Sequence, residues 1–141
     1  MSELTLGLAQ SILNTALTEA RAKGYLPMGV VVVDAAGQTK ALAREDGASA
    51  LRLDIALGKA GAAIGMGANS RVLVQRAKDL PAFFGAVASS TSQKFIPQTG
   101  AVLIKNASGQ VIGAAGASGG TGDEDEAICM AGIVAAGLQH G

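Results

Sequence analysis

Lys59 stands alone as the only charged residue in "IALGKAGAAIG". A lysine so placed must run its ammonium to the surface, pair with a carboxylate, or sit in a pocket where burial lowers its pKa. In the last case it becomes a usable base or Schiff-base nucleophile. Asp54 lies five positions earlier, on a neighbouring side of the same predicted helix. The other carboxylates that could pair with Lys59 form a contiguous run, Asp123, Glu124, Asp125 and Glu126, inside "AGASGGTGDEDEAICMAG".

That second stretch admits several chemistries. It lacks the terminal Gly-Lys-Ser/Thr of a P-loop, and its acids are contiguous rather than alternating as in an EF-hand loop. Neighbouring residues on a helix are about 100° apart, so the four acids cannot all converge on one ion. Helix initiation remains: Asp123 as the N-cap, Glu126 returning the bond as in a capping box, and the cluster complementing the helix dipole. A glycine loop entering a helix also exposes backbone amides to a ligand carboxylate or phenolate, which makes Gly116, Ser118, Gly119 and Gly120, with Asp123 and Glu126, the candidate binding positions.

Arg44 and Asp46 straddle a predicted link between hairpin and helix, where they form either a structural turn or an anion anchor. The chain's one histidine, His140, is penultimate, where fraying or exposure is expected. Its one cysteine, Cys129, lies between Ile128 and Met130 as a buried structural thiol. Met28, Met66 and Met130 read as core residues. Proton transfer near neutral pH therefore falls to a lysine or a carboxylate shifted by burial, and Lys59, Arg44 and Asp54 are the candidate catalytic set. Its pocket is expected between the 116–120 loop and the segment from Phe83 to Phe95.

Leu4, Leu8, Ile12 and Ala16 recur at helical spacing, with Ser2 and Glu3 suited to the start, predicting a helix over 3–23. "MGVVVV", "DAAG" and "QTKALAR" predict a hairpin, as do "AVLIK", "NASG" and "QVIGAAGAS", with Gly37 and Gly109 supplying a positive φ. Between them, 49–66 reads as a helix whose Gly58, Gly61 and Gly65 each cost about 1 kcal/mol relative to alanine, so they need a packing reason. "SRVLVQRAKDL" reads as a further helix capped at Ser70 and closed by Pro81, and 82–100 as a short helix with a polar loop. The order predicts an α+β fold, a mostly antiparallel sheet with helices on one face.

The chain has 141 residues, which predicts a single domain over 1–141. Eleven basic and eleven acidic side chains cancel and aromatic residues are few, which argues against nucleic acid. The N-terminal stretch lacks a basic region and an unbroken apolar run, so neither a signal peptide nor a membrane span is expected and the compartment is read as cytoplasmic. A serine–histidine triad and a dinucleotide fingerprint are missing, which argues against hydrolases of the usual nucleophilic types and NAD enzymes, and with no zinc motif no metal site is expected. The small-residue faces at 58–65 and 131–137 predict a homo-oligomer.

Five blocks in register resemble the GlcG/HbpS haem-binding-like family, which includes the C-terminal domain of PduO-type proteins. They are Val33–Gly37, Arg44–Ala48, Asp54–Ala60, Val111–Gly119 and Gly122–Ala127. The resemblance implies a profilin-like fold, a central antiparallel sheet with flanking helices, and assembly from dimers to octamers. Its members include haem binders and accessory proteins of catabolic operons. Two departures bear on the ligand. PduO-type members place a haem-ligating histidine in the first helix, and this one has none, so weak haem binding or none is expected. Thr99-Gly100-Ala101-Val102 replaces the family's Gly-Gly-apolar-Pro pattern, a changed pocket wall. Three functions stay open: a small-molecule or haem-binding protein; a cofactor-independent lyase, isomerase or hydrolase acting on a small organic acid or aromatic catabolite; or a structural oligomer.

Overall fold

The computed structural model describes residues 3–141. Helix α1 (Leu6–Ala22) leads into strands β1 (Gly29–Asp34) and β2 (Thr39–Arg44). Helices α2 (Arg52–Met66), α3 (Ser70–Asp79) and α4 (Pro81–Ser90) follow. Strands β3 (Ala101–Lys105) and β4 (Val111–Ser118), helix α5 (Gly122–Ala135) and the two-residue strand β5 (Gln139–His140) complete the chain. The strands form one sheet in the order β2-β1-β4-β3-β5, with every pair antiparallel.

The two hairpins share one turn chemistry. Asp34 Oδ1 accepts from the amides of Ala36 and Gln38, and Asn106 Oδ1 accepts from those of Ser108 and Gln110. Gly37 (φ 79°) and Gly109 (φ 81°) supply the left-handed residue each turn needs.

Helices cover both faces of the sheet, which corrects the expectation of one covered face. Val30 and Val32 point to α1 and α5, packing with Ile12, Leu13, Ile128 and Ile133. Val31 and Val33 point the other way, onto Ala56, Ala60 and Ala63 of α2. The unbroken valine run is the sign of this, because a strand buried on both sides has no reason to alternate. Close approach is bought with glycine: a Cβ on Gly116 of β4 would lie 2.5 Å from the Ala56 carbonyl oxygen. Gly58 and Gly61 likewise admit Ile96 and the Lys94 carbonyl, whereas Gly65 meets nothing within 4 Å.

Several boundaries differ from the sequence reading. α1 begins later than expected, with Thr5 Oγ1 accepting from Leu8 N at 3.1 Å; the predicted Ser2 start lies outside the described residues. α2 starts at Arg52 rather than 49. Asn69, not Ser70, precedes α3, and both side chains serve the sheet instead of the helix end. Asn69 Oδ1 accepts from Leu103 N and Ser70 Oγ from Ala101 N, satisfying the part of β3 that β5 leaves uncovered. The C-terminus does not fray: Gln139 and His140 pair with Lys105 and Ile104, with His140 exposed.

Candidate functional site

A cleft of about 450 Å³ opens where the end of β4 and the N-terminus of α5 meet the first turns of α2. The turn that forms its wall depends on Gly119 (φ 150°), where a Cβ would lie 2.3 Å from the Pro27 carbonyl oxygen. α5 then starts through a capping box: Thr121 Oγ1 accepts from Glu124 N, and the Glu124 carboxylate accepts from Thr121 N. Thr121 is therefore the cap in place of the expected Asp123, and Glu124 its reciprocal partner in place of Glu126. Gly122 fits here because Thr99 packs against it, 2.9 Å from where a Cβ would stand.

Lys59 and Asp125 lie at the floor. Lys59 Nζ donates to Asp125 Oδ2 and to the Ala117 carbonyl, both at 3.0 Å, and Asp125 Oδ1 accepts from Gly120 N at 2.9 Å. Lys59 is 6% exposed and Asp125 1%. Gly100 makes room for the ammonium, since a Cβ there would meet Lys59 Nζ at 2.7 Å. Burial pushes the Asp125 carboxyl up from the ordinary carboxylate value, against the opposing pull of the Lys59 ammonium and the Gly120 amide. The neighbouring Cys129 thiol is fully buried and pushed up by that burial, so it stays protonated.

Arg52 stands at the lip, its Nη1 donating to Ser118 Oγ at 3.1 Å. Gln98 and Thr99 form the facing wall, and Ile55 is the one large apolar side chain in the lining. The cleft thus combines two cations and the positive end of α5 with two carboxylates, Asp125 at the floor and the exposed Asp123, which Arg71 pairs, together with polar hydrogen-bonding groups.

Of the residues singled out from the sequence, the cleft gathers Lys59, Ser118, Gly120 and Asp123. Arg44 lies elsewhere, beside Arg21 and Glu45, and donates to the Ala48 carbonyl at 2.7 Å. Asp54 is exposed and pairs with Lys94 at 3.1 Å. Gly116 is a strand residue under α2, not part of a loop. Glu126 is nearly buried and binds Arg71 of α3, which also reaches Asp123. The expected aromatic border is absent too: Phe84 and Phe95 pack with Leu73 and Ala62 in a separate cluster. Sequence reasoning missed Arg52 and the particular role of Asp125. The signal for Asp125 was the two-residue offset between Thr121 and Asp123 as caps, which decides the acid facing α2.

The model of the family described as "Haem degrading protein HbpS-like" matches residues 4–134. The chain belongs to the HbpS-like family. Among solved structures, a double mutant of HbpS from Streptomyces reticuli is 27% identical, with 96% of this chain and 88% of that chain covered at a TM-score of 0.83. Protein ORFY from Klebsiella pneumoniae is 25% identical over 97% and 92% of the two chains, at a TM-score of 0.84. The complex of PduOC with haem shares the fold at a TM-score of 0.85, with 24% identity over 96% of each chain. A search of curated proteins finds no match.

The haem suggested by these relatives can be tested against the donors present. Gln10, Ser11, Asn14 and Thr18 are exposed on α1, which has no imidazole. Met28 is fully buried, and the cleft at α5 holds ammonium, guanidinium and oxygen donors with a single large apolar contact. Axial ligation calls for histidine, methionine, cysteinate or tyrosinate beside an apolar slot, and neither surface supplies that combination. Among the described residues no group of three or more His, Cys, Asp and Glu gathers as for a metal ion, and no helix is long and apolar enough to cross a membrane.

Proposed function

We propose that this HbpS-like chain binds a small organic anion, with one carboxylate seated between Arg52 and the N-terminus of α5. The observation that carries the reading is Arg52. One of its N–H donors is fixed on Ser118 Oγ, and the guanidinium then stands at the lip of a polar cleft with donors left for a carboxylate fork. The ammonium of Lys59 below it, its charge matched by Asp125, supports the reading through the one N–H that has no protein acceptor.

Calorimetric titration with small 2-oxo and 2-hydroxy carboxylates tests this. Saturable binding weakened about tenfold or more by Arg52→Met is the expected result, from loss of a charge-assisted bond. Failure of every such anion to bind, or equal binding by the variant, overturns it. Self-association of the kind the family resemblance implies is part of the same reading. Of the two expected faces, residues 58–63 of the first are buried within the protomer, whereas Val134 of the second is 59% exposed, as are Leu80 and Phe83 of another surface at 56% and 54%. Sedimentation at micromolar concentration reads the state, and a stable monomer would remove this part of the proposal.

A further inference from the structure

A buried ion pair is a poor means of stabilising a fold, because desolvation offsets most of the attraction between its charges. Lys59 and Asp125 are almost wholly buried, yet both line the cleft. Their hydrogen bonds leave room for a third party. The ammonium spends one N–H on Ala117 O and one on Asp125 Oδ2, which leaves one without a protein acceptor. Asp125 accepts one bond at each oxygen and keeps lone-pair capacity at both.

From this geometry we infer that Lys59 and Asp125 form a proton-transfer dyad acting on an enolisable 2-oxo carboxylate. The inference rests on the anion-binding reading above, since Arg52 must hold the substrate carboxylate. With that group at the lip, the adjacent ketone oxygen lies toward the free N–H of Lys59, and the neighbouring carbon lies toward Asp125. The C–H bond breaks and its proton passes to the Asp125 carboxylate. The electron pair left behind forms the C=C bond of an enolate, whose oxygen is held by the Lys59 ammonium. Return of a proton from Asp125, to the same carbon or to a conjugated one, closes the cycle as a tautomerisation or double-bond shift. Atoms and electrons balance without any oxidant, metal or co-reactant. Gly100 is part of the device, because only the absence of a Cβ lets the ammonium occupy this position.

The test follows deuterium uptake at carbon 3 of 2-oxobutyrate in D2O by proton NMR, with binding of the same compound measured separately. The wild-type protein is expected to accelerate exchange about 100-fold or more over buffer at equal pH. Asp125→Asn keeps the side-chain shape and one of the two acceptors, its amide NH2 standing where the other oxygen accepted, and is expected to bind 2-oxobutyrate while losing the acceleration. Should that variant fail to fold, the pair can be removed as a unit by Lys59→Met with Asp125→Leu, which is expected to fold and to show no acceleration. Binding without wild-type exchange overturns the dyad and leaves the anion site standing. Lack of binding overturns both. Exchange that survives in either variant overturns the dyad alone.

Discussion

Replacing Lys59 with methionine keeps most of the side-chain length and removes the ammonium. In the structure this strands Asp125, which is 1% exposed and would retain only the bond from Gly120 N. Removing one partner of a buried pair costs about 3–5 kcal/mol, because the other charge is left uncompensated. With urea m-values of about 1–3 kcal/mol/M, the unfolding midpoint should fall by at least about 1 M at neutral pH, read by circular dichroism at fixed protein concentration. The deficit depends on pH. Without Lys59, Asp125 keeps the burial that raises its pKa and loses the ammonium that opposes the rise. A carboxyl raised in the folded state stabilises the fold while protonated, and that stability is lost as pH climbs from its ordinary value of 3.8 toward the folded value. The deficit should therefore be largest at neutral pH and narrow on acidification. The double variant Lys59→Met with Asp125→Leu should recover most of the loss, since an apolar pair carries no desolvation penalty. A single variant within about 0.5 kcal/mol of wild type at neutral pH, or a double variant no better than the single, would refute the reasoning.

Gly116→Ala should cost about 1–3 kcal/mol in a thermal melt, because its Cβ would press on the Ala56 carbonyl, which is helix backbone and cannot swing aside; an unchanged melt contradicts this. Thr121→Ala should cost about 1 kcal/mol by loss of the cap, whereas Asp123→Ala, which removes only an exposed contact with Arg71, should change stability by less than about 0.5 kcal/mol; the reverse order would restore Asp123 as the cap. Haem titration should give no sharp stoichiometric Soret shift, and a shift that persists in His140→Ala would show that the donors present do suffice.

Local chemistry made much of the fold legible. The Asp34–Gly37 and Asn106–Gly109 turns carry their own instructions, because a side-chain acceptor and a left-handed glycine suffice to close each hairpin. Gly58 and Gly61 declared close packing without naming what approaches them. The site was less legible because its members meet through packing of distant segments. Lys59 and Asp125 lie 66 positions apart, as do Arg52 and Ser118. Which of four adjacent acids faces Lys59 depends on where α5 begins, and with Asp123 as cap the wrong acids turn inward. Asp54 shares a helix with Lys59, but it points to solvent and to Lys94, because a five-residue step is more than one turn. Arg44 was drawn into the site by charge alone, and the structure spends it on the loop carbonyl of Ala48.

The central claim, that a small carboxylate seats against Arg52 and the start of α5, is tested most directly by titrating 2-oxobutyrate into isotope-labelled protein and following backbone amide shifts. The account predicts saturable shifts concentrated at Gly120, Thr121 and Gly122 and at the Arg52 end of α2, all moved to about tenfold or more higher ligand concentration by Arg52→Met. Shifts confined to other surfaces, such as the exposed side of α1 or the pocket beside Arg44, would contradict it.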